Sequence, residues 1–200
     1  ADLVSTHMSA HRGQARKVAV GDLDDTLWGG VVGEDGLKGL KLGPEGLGLA
    51  FQDFQRELLK LHDTGILLAI CSKNNAHDVW EVFDNYPGMV LKREHFAAHR
   101  INWQDKVTNL EELSEELALG IDSFVFFDDN PLEREWVRAA LPEVLVPDLP
   151  EDPCYRPGFL HEAAFFQRID LTEADSRRAE SYREQGLRRT LRERVSSLDE

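Results

Sequence analysis

Two carboxylates closely follow a short apolar run near the start of the chain. Residues 18–20 precede Asp22 and Asp24, and side chains two residues apart on a strand point the same way. Two carboxylates this close repel each other unless a cation lies between them. Mg²⁺ suits them, because it binds carboxylate oxygens, keeps several waters and accepts a substrate phosphate. A carboxylate can also attack phosphorus and form an aspartyl phosphate. The alternative is an ordinary acidic turn.

Two later apolar runs also end in polar residues. Residues 66–71 are followed by Ser72, and residues 123–127 are followed by Asp128 and Asp129. If the three runs are parallel strands, their ends lie at one edge of a sheet, where ligands bind in such folds. The sequence therefore predicts a site with metal-binding carboxylates at this edge.

Further side chains in the sequence supply the remaining parts of such a site. Lys106, at the start of a predicted helix, can offset the carboxylate charge, and Thr26 and Ser72 can donate hydroxyl hydrogen bonds to phosphate oxygens. Lys73 and Asn74 are further candidates for phosphate binding. Phosphoryl transfer requires this combination of positioned donors, a metal and compensated charge.

The hydrophobic pattern alternates apolar runs with amphipathic helices. This alternation predicts an α/β fold, a Rossmann-like three-layer sandwich with a central parallel sheet. No large helical insert follows the first or second polar strand end, so any cap over this edge is expected to be minimal. The predicted strands are residues 17–23, 66–71, 89–91, 123–127 and 144–146. The first predicted helix begins at Pro44 and ends at Gly65, and the second begins after its cap, Asn75. Two more helices are predicted at residues 104–119 and 132–141. Residues 28–42 are expected to form a hairpin or flap, and residues 96–103 and 148–158 are expected to form loops.

The length of 200 residues fits one catalytic domain with short extensions. We expect disorder or a cloning remnant at residues 1–14, the domain at 15–170, and a charged helix or linker at 171–200. The net charge of −14 argues against nucleic acid or a membrane surface as the main partner. The two cysteines, Cys71 and Cys154, lie far apart, which favours a reducing cytoplasmic location.

The order of these motifs resembles the haloacid dehalogenase (HAD) superfamily. The matching residues are DLDDT at 22–26, Ser72, Lys106 and the pair Asp128-Asp129. More narrowly, three longer strings resemble the FkbH-like subfamily. They are DLDDTLWGGVVGEDG at 22–36, ICSKNN at 70–75 and FVFFDDNPLERE at 124–135.

The resemblance implies a role for each candidate residue. Asp22 would be the nucleophile and a Mg²⁺ ligand, and Asp24 the general acid and base, with its backbone carbonyl also on the metal. Lys106 would steady the charge on the nucleophile and on the phosphorylated intermediate. Asp128, alone or together with Asp129, would complete the metal site, and the two hydroxyls named above would hold the phosphoryl oxygens.

The subfamily resemblance also implies a substrate and a partner. FkbH-like proteins take a glyceryl unit from 1,3-bisphosphoglycerate, remove its phosphates and load it onto the phosphopantetheine thiol of an acyl carrier protein for polyketide biosynthesis. Cys71 would then carry a glyceryl thioester; its alternative is a buried core cysteine. Two other functions stay open: a phosphatase of a small metabolite or phosphoprotein, and a catalytically silent interaction module.

Three other residues have two interpretations each. Trp28 and Trp103 line the mouth of the pocket or pack in the core. Asn130 orients the metal-site carboxylates or caps the helix that follows it.

Overall fold

The computed structural model describes residues 16–166 and Ser181. Its centre is a four-stranded, fully parallel sheet in the order β3-β2-β1-β4. The strands are β1 (Val18–Gly21), β2 (Leu67–Ser72), β3 (Phe96–Ile101) and β4 (Phe124–Phe127). Because β1 lies between β2 and β4, the residues after these three strands meet at one edge of the sheet.

Six helices surround the sheet in the described part of the chain. They are α1 (Val32–Gly39), α2 (Gly46–Asp63), α3 (Ala76–Asn85), α4 (Lys106–Leu117), α5 (Pro131–Ala140) and α6 (Arg156–Glu162). Four short 3₁₀ segments lie at Arg93–His95, Ile121–Ser123, Pro153–Tyr155 and Ala164–Phe166. No helix among these is long and apolar enough to cross a bilayer.

Two hydrophobic clusters cover the two faces of the sheet. Ala19 and Ile70 pack with α2, α3 and α6 on one face, whereas Val18 and Val20 pack with α4 and α5 on the other. Alternate residues of each strand therefore bury their side chains on opposite faces, which explains the continuous apolar runs in the sequence. The predicted α/β sandwich is confirmed. In the described residues, α1 and α2 with their short connections are all that separate β1 from β2, as expected for a minimal cap.

Strand assignment is wrong in two places. Residues 96–103, predicted as a loop, contain edge strand β3, whose alternating burial and polar side chains hide it from an apolar-run search. Residues 89–91, predicted as a strand, form no ladder, because the amides of Val90 and Leu91 donate to the Gln55 side chain instead. The predicted strand at 144–146 is reduced to one parallel bridge between Leu145 and Val125.

Two segments predicted as irregular contain helices. Residues 28–42 form a flap whose base is the bridge between Gly29 and Lys41 and whose middle is α1, interrupted at Gly36 with φ 59°. Residues 148–158 lead into α6, and the Arg156 guanidinium donates to backbone carbonyls of its own loop and of Asp25. The predictions for residues 1–14 and 171–200 lie outside the described residues, apart from the single position Ser181.

Candidate active site

The loop after β1 places the first acidic pair at the centre of the sheet edge. The Asp22 amide donates to the Phe127 carbonyl of β4 at 2.9 Å, which holds this residue against the neighbouring strand. The chain then turns tightly, with Asp25 in the left-handed region (φ 51°) and the amides of Thr26 and Leu27 donating to the Leu23 carbonyl. This turn buries Thr26 and keeps Asp22 mostly buried.

Lys106 lies between two of the candidate carboxylates. Its ammonium is 2.8 Å from Asp22 Oδ1 and forms a second ion pair with Asp128, although only 4% of the residue is exposed. Burial alone would lower the pKa of Lys106, but the charges of Asp22 and Asp128 raise it above its usual value. The lysine is therefore a fixed positive charge inside the site.

Three carboxylates converge at this edge. One oxygen from each of Asp22, Asp128 and Asp129 lies within 4.8 Å of the others. Burial raises the pKa of Asp128 to about 6, the charge of Asp22 adds to the increase, and Lys106 opposes it. Burial and the charge of Asp22 also raise the pKa of Asp129. Such a crowded, desolvated set of oxygens fits a hard divalent cation, which would relieve the repulsion.

The metal set predicted from the sequence is Asp22, Asp128 and Asp24, the last through its backbone carbonyl, with Asp129 as an optional ligand. The carboxylate cluster in the described residues brings together the side chains of Asp22, Asp128 and Asp129, and the carbonyl of Asp24 stays a prediction. The Asp24 carboxylate instead accepts three hydrogen bonds from Trp28, Val32 and Asn74. Burial raises the pKa of Asp24, and these hydrogen bonds oppose the increase.

The two predicted hydroxyl donors are both buried at the sheet edge. Thr26 Oγ1 accepts from the Asp129 amide at 3.1 Å and lies 3.3 Å from Asp129 Oδ1, so it joins the loops after β1 and β4. Ser72 Oγ accepts from Asn74 Nδ2 at 3.3 Å. Asn74 thus contacts both Ser72 and Asp24. Their proposed phosphate contacts stay predictions.

Lys73 and Cys71 flank Ser72 in the sequence, and each has its own contacts. The Lys73 ammonium pairs with Glu133 and lies 5.7 Å from the centroid of the Trp136 ring. Cys71 is fully buried in the cluster beneath α4 and α5, and its Sγ lies 3.9 Å from the Lys106 carbonyl. Burial raises the pKa of the Cys71 thiol to about 12, so the group is a neutral thiol in this conformation.

One residue of the site had no signal in the sequence. The buried Arg134 guanidinium of α5 donates to the carbonyls of Asp128 and Asp129 at 2.8 and 2.7 Å. It therefore fixes the backbone of the acidic loop. Side-chain contacts to backbone carbonyls depend on tertiary structure, and FVFFDDNPLERE contains no pattern that would reveal them.

The structure distinguishes the open interpretations of three other residues. Asn130 caps α5, since its side chain accepts from the Leu132 amide, while its own amide donates to Asp128 Oδ1. Trp28 is fully buried and Trp103 is 71% exposed, its indole donating to Asn75. The packing interpretation is therefore correct for Trp28, whereas Trp103 lies at the surface.

Comparison with solved structures shows what the chain is similar to. One similar structure is the N-terminal part of the protein BF1531 from Bacteroides fragilis, which contains a phosphatase domain and is complexed with Mg. The two share 41% sequence identity with a TM-score of 0.76, over 84% of this chain and 45% of that chain. The chain thus spans less than half the length of that relative. Its α/β fold matches that of a HAD-type phosphatase.

Two further structures are more distant. An uncharacterized protein from Corynebacterium glutamicum has 12% identity and a TM-score of 0.47, over 78% of this chain and 100% of that chain. The 3-deoxy-D-manno-octulosonate 8-phosphate phosphatase from Moraxella catarrhalis, complexed with magnesium, phosphate and KDO, has 21% identity and a TM-score of 0.41. That alignment covers 77% of this chain and 79% of that chain. Both likenesses are too weak to support conclusions about this chain. No protein-family model and no curated protein matches the sequence.

Proposed function

We propose that this chain is a Mg²⁺-dependent phosphatase of the HAD type that uses Asp22 as its nucleophile. The observation that carries this proposal is the buried Lys106, which lies between Asp22 and Asp128 at the edge where Asp129 completes an acidic cluster. Burying such a cluster costs free energy, and buried, mutually perturbed ionisable groups of this kind concentrate at functional sites. The 41% identical relative, a phosphatase domain complexed with Mg, supports the same function.

Asp22, Asp128 and Asp129 would hold the metal, and the carbonyl of Asp24 is a further candidate ligand. When bound, Mg²⁺ neutralises charge on the phosphoryl oxygens and on the carboxylates around them. Thr26 and Ser72 supply hydroxyls at the same edge, and Lys106 holds the Asp22 carboxylate in place through their ion pair.

The reaction proceeds in two balanced steps. In the first, an Asp22 oxygen attacks phosphorus, the bond between phosphorus and the leaving oxygen breaks, and protonated Asp24 gives that oxygen its proton. The products are an alcohol and a phosphorylated Asp22. In the second, Asp24 takes a proton from water, the water oxygen attacks phosphorus, and the bond to Asp22 breaks. Inorganic phosphate leaves, and Asp24 is again protonated.

Phosphate release tests this proposal. The protein is incubated with a panel of phosphate monoesters and acetyl phosphate, with Mg²⁺ or with excess chelator. We expect release that requires Mg²⁺, together with a Mg²⁺-dependent rise in melting temperature, since a ligand that binds the native state stabilises it. Equal release in chelator, or none with any substrate, would contradict the proposal.

Replacing Arg134 should weaken Mg²⁺ binding without unfolding the protein. In Arg134→Met the carbonyls of Asp128 and Asp129 lose their shared donor, so the acidic loop is less well fixed. Loss of such supporting contacts costs about 10–100-fold in metal affinity. Isothermal titration calorimetry with MgCl₂ measures the change. Arg138→Met is the matched control, because Arg138 lies on the same helix and also pairs with Asp148, as Arg134 does at 3.8 Å, but its carbonyl acceptor is that of Val146. An equal change in Mg²⁺ affinity in both variants would contradict this prediction, because it would show that the charge of α5 and not the carbonyl contacts of Arg134 supports metal binding.

We propose further that the substrate is an acyl phosphate and that the chain transfers a glyceryl unit from 1,3-bisphosphoglycerate to an acyl carrier protein. The support is the resemblance of three strings to FkbH-like proteins, not the geometry of the site. Acyl transfer to Cys71 would break the bond between the acyl carbon and the phosphate oxygen and form a thioester, with the thiol proton passing to the released phosphate. Because Cys71 is fully buried, this step requires the end of β2 to open.

Intact-protein mass spectrometry separates these two activities. Wild type and Cys71→Ala are incubated with Mg²⁺ and freshly generated 1,3-bisphosphoglycerate. A glyceryl-sized adduct on wild type alone would support transfer through Cys71. Phosphate release by both proteins without an adduct would contradict that route and leave the phosphatase proposal standing.

A further inference from the structure

The indole of Trp28 contacts both the core and the candidate active site. Its ring is fully buried and packs edge-on against Phe83, with centroids 5.9 Å apart and planes at 74°. Its Nε1 donates to Asp24 Oδ1 at 2.8 Å. A buried indole N–H requires an acceptor, and here the acceptor is the proposed general acid.

Two other donors hold the same carboxylate. The Val32 amide, at the start of α1, donates to Asp24 Oδ1 at 3.1 Å, and Asn74 Nδ2 donates to Asp24 Oδ2 at 2.9 Å. Each carboxylate oxygen offers about two acceptor positions. Both positions on Oδ1 are therefore filled, whereas Oδ2 has one hydrogen bond and keeps a position for a proton.

We propose that Trp28 is a positioning residue that selects which oxygen of Asp24 carries the transferred proton. With Oδ1 filled by Trp28 and Val32, the proton is carried on Oδ2 and passes from there to the leaving oxygen. Because the indole is held by its packing on Phe83, the carboxylate cannot rotate freely. This inference rests on the proposed function, in which Asp24 acts as the general acid.

The dependence on leaving group provides the test. Removing the N–H in Trp28→Phe frees one of the two acceptor positions on Asp24 Oδ1, so the proton is no longer confined to Oδ2, and misplacement of this kind costs about 10²-fold. We expect a loss of about 10–100-fold in kcat/KM for glycerol phosphate, an alkyl ester whose leaving oxygen needs a proton. For p-nitrophenyl phosphate, whose leaving group departs as a stable anion, kcat/KM should change little. This ratio covers only the steps up to departure of the leaving group, whereas kcat includes the hydrolysis of phosphorylated Asp22, in which Asp24 acts as the base for both esters.

Two further variants separate positioning from packing. Trp80→Phe is the matched control, because Trp80 packs on the same Phe83 ring while the three described donors to Asp24 come from other residues. It should not change the ratio of the two kcat/KM values. Replacing Trp28 by benzothienylalanine substitutes sulfur for the N–H at nearly constant shape, so it gives the result even if Trp28→Phe folds poorly.

The outcomes are distinguishable. A selective loss with the alkyl ester in both Trp28 variants, with Trp80→Phe unchanged, supports the inference. An equal loss on both esters would mean that Trp28 is only a packing residue and would overturn it. If wild type releases phosphate from no substrate of the panel with Mg²⁺, the proposed function fails, and this inference fails with it. Release from acetyl phosphate but from neither ester would overturn this inference alone, because that leaving group needs no proton from Asp24.

Discussion

Asp22→Asn should abolish phosphate release while leaving the protein folded. The amide keeps the shape of the side chain and can still accept from Lys106, but it cannot attack phosphorus. Loss of a nucleophile typically lowers kcat by more than about 10³-fold, so we expect activity near background. Phosphate release and circular dichroism measured on the same preparation give the two readouts.

Asp25→Asn is the control for this variant. Asp25 lies in the same loop, is exposed, and accepts from the Gly30 amide at 2.7 Å, a contact that the asparagine oxygen retains. Its left-handed backbone also tolerates asparagine. Both variants remove one negative charge from the loop. A difference in phosphate release between them is therefore explained by the loss of the nucleophile and not by the loss of charge. Substantial activity in Asp22→Asn would mean that another residue attacks phosphorus.

Lys106→Met should impair both stability and catalysis. The lysine is nearly fully buried and paired with Asp22 and Asp128, so its loss leaves two buried carboxylates without compensation. Breaking a buried pair in this way costs about 3–5 kcal/mol. For a chain of this size that lowers the melting temperature by roughly 6–20 °C. We expect phosphate release to fall at least about 10²-fold, because the charge on Asp22 is no longer offset.

The stability loss in Lys106→Met should depend on pH. The pKa of Asp128 is already raised to about 6 by burial, and removing the lysine takes away a charge that lowers it. The native state therefore binds more protons than the unfolded state, so the variant becomes less stable as pH rises from about 6 to about 8. Thermal melts at both pH values measure this change.

Lys60→Met is the matched control for the lysine. Lys60 lies on α2 with its side chain 65% exposed and pairs with Glu57 at the surface. Its removal should change stability by less than about 0.5 kcal/mol at either pH. If Lys106→Met behaves like Lys60→Met, then the buried ion pairs do not support the site.

The centre of the fold could be predicted from the sequence because its strands are buried on both faces. Such strands appear as continuous apolar runs, and the polar residues after them mark the active edge. This is why the sequence predicts that Asp22, Asp128 and Lys106 belong to one site. The sequence does not predict the edge strand β3, because several of its side chains are only partly buried and its polar residues interrupt the apolar pattern.

The supporting contacts of the site could not be predicted in the same way. Arg134 acts through backbone carbonyls, and Trp28 acts through an indole N–H whose partner is fixed only by the turn after β1. The assignment of Asp129 rather than Asp24 to the carboxylate cluster also depends on that turn. Sequence spacing gives the side of a strand on which a residue lies, but not the hydrogen bonds that fix its side chain.

Trapping the covalent intermediate tests the role of Asp22 most directly. Wild type and Asp25→Asn are mixed with acetyl phosphate and Mg²⁺, quenched in acid within the first turnover, digested and examined by peptide mass spectrometry. We expect a phosphate-sized mass on Asp22 in both proteins, absent without Mg²⁺ and absent from Asp22→Asn. Phosphate release without any phosphorylated Asp22, or a phosphoryl group found on another residue, would contradict nucleophilic catalysis by Asp22.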